Sequence, residues 1–215
     1  MTYRYDPPKG PPVILREDPA FLIVDKPEGL LSVPGKGPEK ADCLITRLQR
    51  LFPRVLLVHR LDTDTSGVMV FARTSAAQVS LAGQFERRET EKHYVARVRG
   101  VVEGDAGTVD LPLIVDWPNR PRQHVNRETG RPAVTDWRVI GRGTGETRMR
   151  LLPRTGRTHQ LRVHMAEIGH PILGDPLYAP SGGAGFARLM LHAETLGFAH
   201  PVTDEALSFT ANCPF

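Results

Sequence analysis

The chain has 215 residues, 40% hydrophobic and 24% charged, with 28 Lys and Arg against 24 Asp and Glu for a formal net charge of +4. Those proportions belong to an ordinary soluble globular protein long enough for a real core, and they exclude a disordered or fibrous chain. No apolar run approaches the length that crosses a bilayer, and the polar, proline-rich start does not read as a signal peptide.

The two cysteines, Cys43 and Cys213, lie in unrelated contexts and match no metal or redox spacing, which points to a reduced, cytoplasmic compartment. The positive balance permits a polyanionic partner without requiring one.

Residues up to about Pro12 read as an extended tail. Residues 13–15 and 21–24 read as strands parted by the turn residues Glu17-Asp18-Pro19. Asp25-Lys26-Pro27-Glu28-Gly29-Leu30 then leaves the second strand as a loop whose course Pro and Gly fix. A helix is predicted over residues 41–51, with Leu44, Ile45, Leu48 and Leu51 as its core stripe and Pro53 as its stop. The apolar run 55–58 leads into His59-Arg60-Leu61-Asp62-Thr63-Asp64-Thr65-Ser66-Gly67, and a second apolar run follows over residues 68–72. A base, a cation and two carboxylates are thus pinned between two strands, where the backbone can hold side chains still. On the residues alone two readings stand: Asp62, Thr63 and Ser66 make a turn, or they do chemistry.

Thr74-Ser75 can cap a helix running to about Arg88, with Ala77, Leu81 and Phe85 on one face and a charged, solvated end. Residues 92–100 alternate as a half-buried strand with Tyr94, Ala96 and Val98 on one side. From residue 111 to 137 the chain becomes rich in Pro and basic residues, with Trp117, Arg120, Arg122, His124, Arg127 and Arg131. Such a loop suits phosphate contact and base stacking, and a merely solvated hairpin is the alternative. Residues 134–140 and 147–152 read as a hairpin about the glycine-rich turn 141–145, which lacks the strand-to-helix setting of a phosphate loop. A helix is expected from about Thr158 to Gly169, with Leu161, Met165 and Ile168 inward and His159 and Arg162 on neighbouring faces. His159, His164 and His170 do not give two ligands at i, i+4, so no metal site is expected. Residues 181–185 read as a flexible loop and residues 188–193 as a strand.

The stretch His59–Gly67 resembles the active-site signature of the RluA family of pseudouridine synthases. Asp25-Lys26-Pro27-x-Gly29-Leu30, Lys92-x-Tyr94-x-Ala96 and the segment from Thr155 through Gly174, Asp175 and Tyr178 are similar to that family's other motifs. The resemblance implies an α+β fold: one long, curved, mainly antiparallel sheet flanked by helices, with a central RNA-binding cleft. It implies one catalytic domain over residues 13–215 after a tail over residues 1–12, with no S4-type domain. Asp62 maps to the catalytic carboxylate, Tyr94 to the active-site tyrosine and Arg162 to the active-site arginine, while Leu191 maps to a position lining the uridine pocket. Arg60 would fill the place of a flipped-out base, and the loop with Arg120, Arg122 and His124 would grip the RNA. The chain's shortness and Asp116-Trp117-Pro118-Asn119-Arg120-Pro121 are similar to the subgroup that modifies both 23S rRNA and the anticodon stem-loop of tRNA.

Making pseudouridine loses no atom and changes no oxidation state, so the resemblance implies no cofactor and no metal. Asp62 would either attack C1′ or remove the C2′ proton. Arg162 would keep Asp62 ionised, since an opposite charge lowers a carboxylate pKa and a guanidinium can pair with it bidentately. Tyr94 would take the C5 proton, directly or through water. A monomer is expected. Two other classes are weighed against this one: a non-catalytic RNA-binding module, and a carboxylate hydrolase using Asp62 with Asp64.

Overall fold

The computed structural model describes residues 5–180 and 183–215. In chain order these form β1 (Val13–Glu17), β2 (Phe21–Lys26), α1 (Leu44–Leu51), β3 (Leu56–Leu57), β4 (Ser66–Ala72), α2 (Ser75–Arg87), β5 (Glu91–Arg99) and β6 (Ala106–Asp110). There follow β7 (Leu113–Val115), β8 (Gln123–Val125), β9 (Val134–Gly143), β10 (Glu146–Pro153), α3 (Gln160–Glu167), β11 (Leu191–Ala199) and β12 (Ala206–Thr210). The chain divides into two compact units, residues 1–92 with 193–214 and residues 93–192 with 215. No described helix is long and apolar enough to cross a membrane.

In the first unit β1 pairs with β2, β2 and β3 with β4, and β11 with β12, all antiparallel. Phe21, Leu22, Ile23 and Val24 are all buried, so this run does not alternate between core and water. Helix α2 opens on the Thr74 hydroxyl, which accepts the Ala77 N–H at 3.1 Å. Ala77 and Leu81 join the core with Phe21, Val70 and Phe198. The Gln84 amide bonds both the N–H and the C=O of Ala199, at 2.8 and 2.9 Å, and so fastens α2 to the end of β11.

The structure corrects three expectations here. Helix α1 starts at Leu44 rather than 41, because Cys43 is extended and serves as N-cap, with the Thr46 hydroxyl taking its N–H. Leu51, expected in the core stripe, is 57% exposed at the helix end, while Leu44 and Leu48 are buried. Residues 1–4 of the expected tail lie outside the described residues, and Tyr5 is buried and fastened: its hydroxyl donates to Asp42 O and accepts the Leu31 N–H.

In the second unit the order is β5-β10-β9-β6, antiparallel throughout. Ala96, Val98, Met149 and Leu151 from the sheet pack with Leu161 and Met165 of α3. Strands β9 and β10 run further than expected, to Gly143 and from Glu146, so that Gly141 and Gly143 are strand residues and only Thr144-Gly145 turns. A short two-stranded hairpin, β7–β8, occupies the basic stretch. Residues 181 and 182 of the expected flexible loop lie outside the described residues.

Helix α3 starts at Gln160, and His159 precedes it as an N-cap in the left-handed region, φ 55°. His159 is therefore not one helical turn from Arg162, and the shared-face expectation fails. What fixes α3 is a buried polar network. The Gln160 amide donates to Val134 O and Thr135 Oγ1, and its oxygen accepts from Thr155 Oγ1 and the Arg157 N–H. His164 donates from Nε2 to Leu111 O at 3.0 Å, which leaves Nδ1 to accept from the Thr135 hydroxyl at 2.9 Å.

Candidate active site

The signature loop, in the first unit, is built by long-range contacts rather than by its own turn. Lys26 ends β2 fully buried, and its Nζ donates to Pro27 O, Leu30 O and Thr63 O at 2.8, 2.7 and 2.9 Å. Ser32 Oγ donates to Leu61 O at 2.7 Å and accepts the Leu61 N–H at 3.2 Å. Two buried polar side chains therefore hold the backbone on either side of Asp62. The turn itself is Thr63-Asp64, with the Thr65 N–H on Asp62 O at 3.2 Å, and Ser66 and Gly67 already belong to β4. Gly67 has φ 119°, and a Cβ there would collide with the backbone of Ala193, so β4 approaches β11 only because this position is glycine.

Asp62 is half-buried on this loop and Arg60 is exposed beside it. Asp64 is half-buried too, as the second residue of the turn. His59, read from sequence as a base in the cluster, has another task. Its Nε2 accepts the Val70 N–H at 3.1 Å and its ring stacks on Phe85 at 4.4 Å. It stands in for strand pairing where β3 stops. An edge of His59 reaches the surface, but its ring is sunk; desolvation, with Lys92 nearby, pushes its pKa down to about 3. It is a neutral structural acceptor with its proton on Nδ1.

In the second unit, Tyr94 is half-buried on β5 and packs against the same core cluster as Leu191, which is 3% exposed. Arg162 is 2% exposed, and its Nε and Nη2 pair bidentately with the two oxygens of Asp175 at 2.8 Å each. Asp175 Oδ1 also accepts the N–H groups of Leu177 and Tyr178, at 2.8 and 3.1 Å. The fork's bidentate edge, expected on Asp62, is thus engaged by Asp175, which fixes the guanidinium plane.

Tyr178 joins this pair to the basic hairpin. Its hydroxyl accepts the Gln123 N–H at 2.8 Å and bonds His159 Nδ1 at 2.8 Å. The guanidinium carbons of Arg162 and Arg122 each lie 5.2 Å from the centre of its ring. Burial pushes the Tyr178 pKa up to about 12, so the hydroxyl stays protonated at neutral pH. The structure therefore brings Arg122 and Arg162 to one ring. Arg120 and His124 stand exposed further along the hairpin, with Arg120 stacked on Trp117.

Of the three histidines weighed as metal ligands, His159 and His164 are engaged as described, and His170 bonds Arg99 O at 2.9 Å. Sequence reasoning missed the tasks of Lys26, Ser32 and Tyr178. The signal for Lys26 was a lysine at the end of a strand opened by four buried apolar residues, where a sunk ammonium must find acceptors.

Comparison with known proteins bears on the whole chain. Residues 20–167 match the family model described as RNA pseudouridylate synthase. The chain is 51% identical over 205 residues to the dual-specificity RNA pseudouridine synthase RluA of Yersinia pestis, covering 94% of this chain and 100% of that one. It is 51% identical over 214 residues to the protein of the same name from Escherichia coli strain K12, covering 98% of each. Among solved structures it is similar to human RNA pseudouridylate synthase domain containing 1, with TM-score 0.79, 30% identity and coverage of 95% of this chain and 84% of that one. Human RNA pseudouridylate synthase domain containing 4 is similar with TM-score 0.76 and 26% identity, over 94% and 88%.

Proposed function

The chain belongs to the RNA pseudouridylate synthase family, and on that premise we propose that it isomerises uridine to pseudouridine in two classes of RNA, 23S rRNA and the anticodon stem-loop of tRNA. The observation that carries this reading is half-identity over nearly the full length of relatives named as dual-specificity synthases, with the Asp62 loop held from both sides by Lys26 and Ser32. The non-catalytic binding module and the hydrolase give way to it. The protein works in the cytoplasm as a monomer, with residues 13–215 as one catalytic domain.

Asp62 is the acid whose carboxylate meets the ribose, by attack on C1′ or by removal of the C2′ proton. Either route breaks the bond from C1′ to N1, frees the base to turn, and joins C1′ to C5. Balance then requires that C5 lose its proton and N1 gain one; Tyr94 is the group that receives the C5 proton, directly or through water. Arg162, its plane fixed by Asp175, supplies the positive charge that orients the acid. Leu191 lines the apolar side of the uridine pocket. A uridine in a stacked loop must first be extruded, at a few kcal/mol, and Arg60 fills the space it leaves. Arg120, Arg122 and His124 hold the phosphates.

Tritium at C5 of uridine is lost to water only when the new carbon bond forms. Wild-type protein should release it from tRNA and 23S rRNA transcripts, and Asp62→Asn should lower the rate by at least about 10³-fold while RNA still binds. Retained release in Asp62→Asn would remove the acid from the reaction. Arg60→Ala should weaken RNA affinity about tenfold and leave the single-turnover rate at saturation within about twofold. A lower rate with unchanged affinity would make Arg60 a chemical group instead.

A further inference from the structure

The β7–β8 hairpin ends in a ring that the bond-breaking and bond-making steps leave without a task. Trp117 has 62% of its surface in solvent, and the Arg120 guanidinium lies over its ring at 3.5 Å. The tip that carries this stack is tightly built. Asp116 donates its N–H to Arg122 O at 2.9 Å, its carboxylate takes the Asn119 amide, and Arg122 returns its N–H to Asn119 O at 3.0 Å. The base of the hairpin is fastened as firmly, by the Gln123 N–H on Tyr178 and by Leu113 packed on Val163 of α3. An indole held this rigidly in water is pre-organised for something flat, since ordering it again on binding costs little.

We infer that the Trp117–Arg120 stack is a preformed platform for one unpaired nucleobase of the RNA. This rests on the synthase reading for the choice of RNA as partner. Arg120 covers one face of the indole and polarises it, and the base takes the other. Arg122, His124, Arg127 and Arg131 stand exposed along the same segment and face an anionic backbone rather than an apolar protein surface. Stacking needs only a π-face, which every base presents when it is unpaired and no base presents inside a duplex. The hairpin therefore reads loop against stem, and it holds a nucleotide other than the one being isomerised.

The probes are a synthetic RNA hairpin whose loop carries the target uridine and a blunt duplex of the same stem. Trp117→Ala should weaken binding of the hairpin about tenfold and leave the duplex unchanged, and Trp117→Phe should recover most of the loss. In a Trp137→Phe protein, Trp117 is the sole indole. Its fluorescence should be quenched by the RNA hairpin, and an abasic substitution at one loop position should abolish the quenching. Unchanged affinity in Trp117→Ala, an equal loss on the duplex, or fluorescence indifferent to RNA would each overturn the platform. Pseudouridine formation is scored in the same RNA. Wild-type protein that binds through Trp117 but forms no pseudouridine overturns the synthase reading and upholds the platform; wild-type turnover with Trp117→Ala binding normally does the reverse.

Discussion

Lys26 shows how one residue can carry a loop. Its side chain is wholly buried, and a lysine head group has three donors, which here meet three backbone carbonyls from two separate loops. Replacing it with Met keeps the length and apolar stem but leaves those carbonyls without their donor. Each buried polar group so orphaned costs about 1–3 kcal/mol. Lys26→Met should therefore lower unfolding free energy in urea by at least about 3 kcal/mol. It should also lower turnover, because Thr63 is next to Asp62 in the chain. A loss below about 1 kcal/mol would show that the three bonds add little. Ser32 acts in the same sense on Leu61, so buried side chains from elsewhere in the chain hold the backbone on both sides of Asp62.

At the scale of elements, the hairpin β7–β8 and the helix α3 are linked through Tyr178. Tyr178→Phe keeps the ring beside both guanidinium groups and removes only the hydroxyl, which serves the Gln123 N–H and His159. The expected cost is about 1–2 kcal/mol of stability, with KM for RNA raised several-fold and the saturating single-turnover rate within about twofold. If the rate falls instead and KM holds, Tyr178 serves the Arg162–Asp175 pair more than the hairpin. The same elements show what periodicity can and cannot reveal. Residues 21–24 and 68–72 were legible as strands because an unbroken apolar run has to be buried. β6 was not: Ala106-Gly107-Thr108-Val109-Asp110 buries only Val109, so its sequence hardly differs from a loop. The starts of α1 and α3 were misjudged because a cysteine and a left-handed histidine precede them, and neither is a familiar cap. Asp62 could be picked out through a long contiguous motif. Lys26, Ser32 and Tyr178 could not be given their tasks, since each acts on a backbone group 29 to 55 residues away.

For the whole molecule, the two units share a weakness towards acid. Each holds a histidine neutral by burial: His59 in the first, with its pKa pushed down to about 3, and His164 in the second, also lowered by desolvation against the opposing pull of its bond to Leu111 O. In the unfolded chain both return to about 6.5. Below that value the unfolded state binds more protons than the folded state, so acid favours unfolding. Stability from these groups is complete above about pH 6.5 and declines as pH falls towards the folded values, by up to about 1.4 kcal/mol per pH unit for each histidine. Asp42 and Asp136, each paired with an arginine, titrate below the ordinary aspartate range and lose their stabilising charge only at lower pH. Unfolding by urea at several pH values between about 7 and 5 should show net proton uptake. His59→Gln keeps an acceptor for the Val70 N–H and cannot be protonated, so its stability should fall less steeply, by about one proton. If wild type and His59→Gln share one slope, His59 titrates alike in both states and its place as the neutral partner of β4 is wrong.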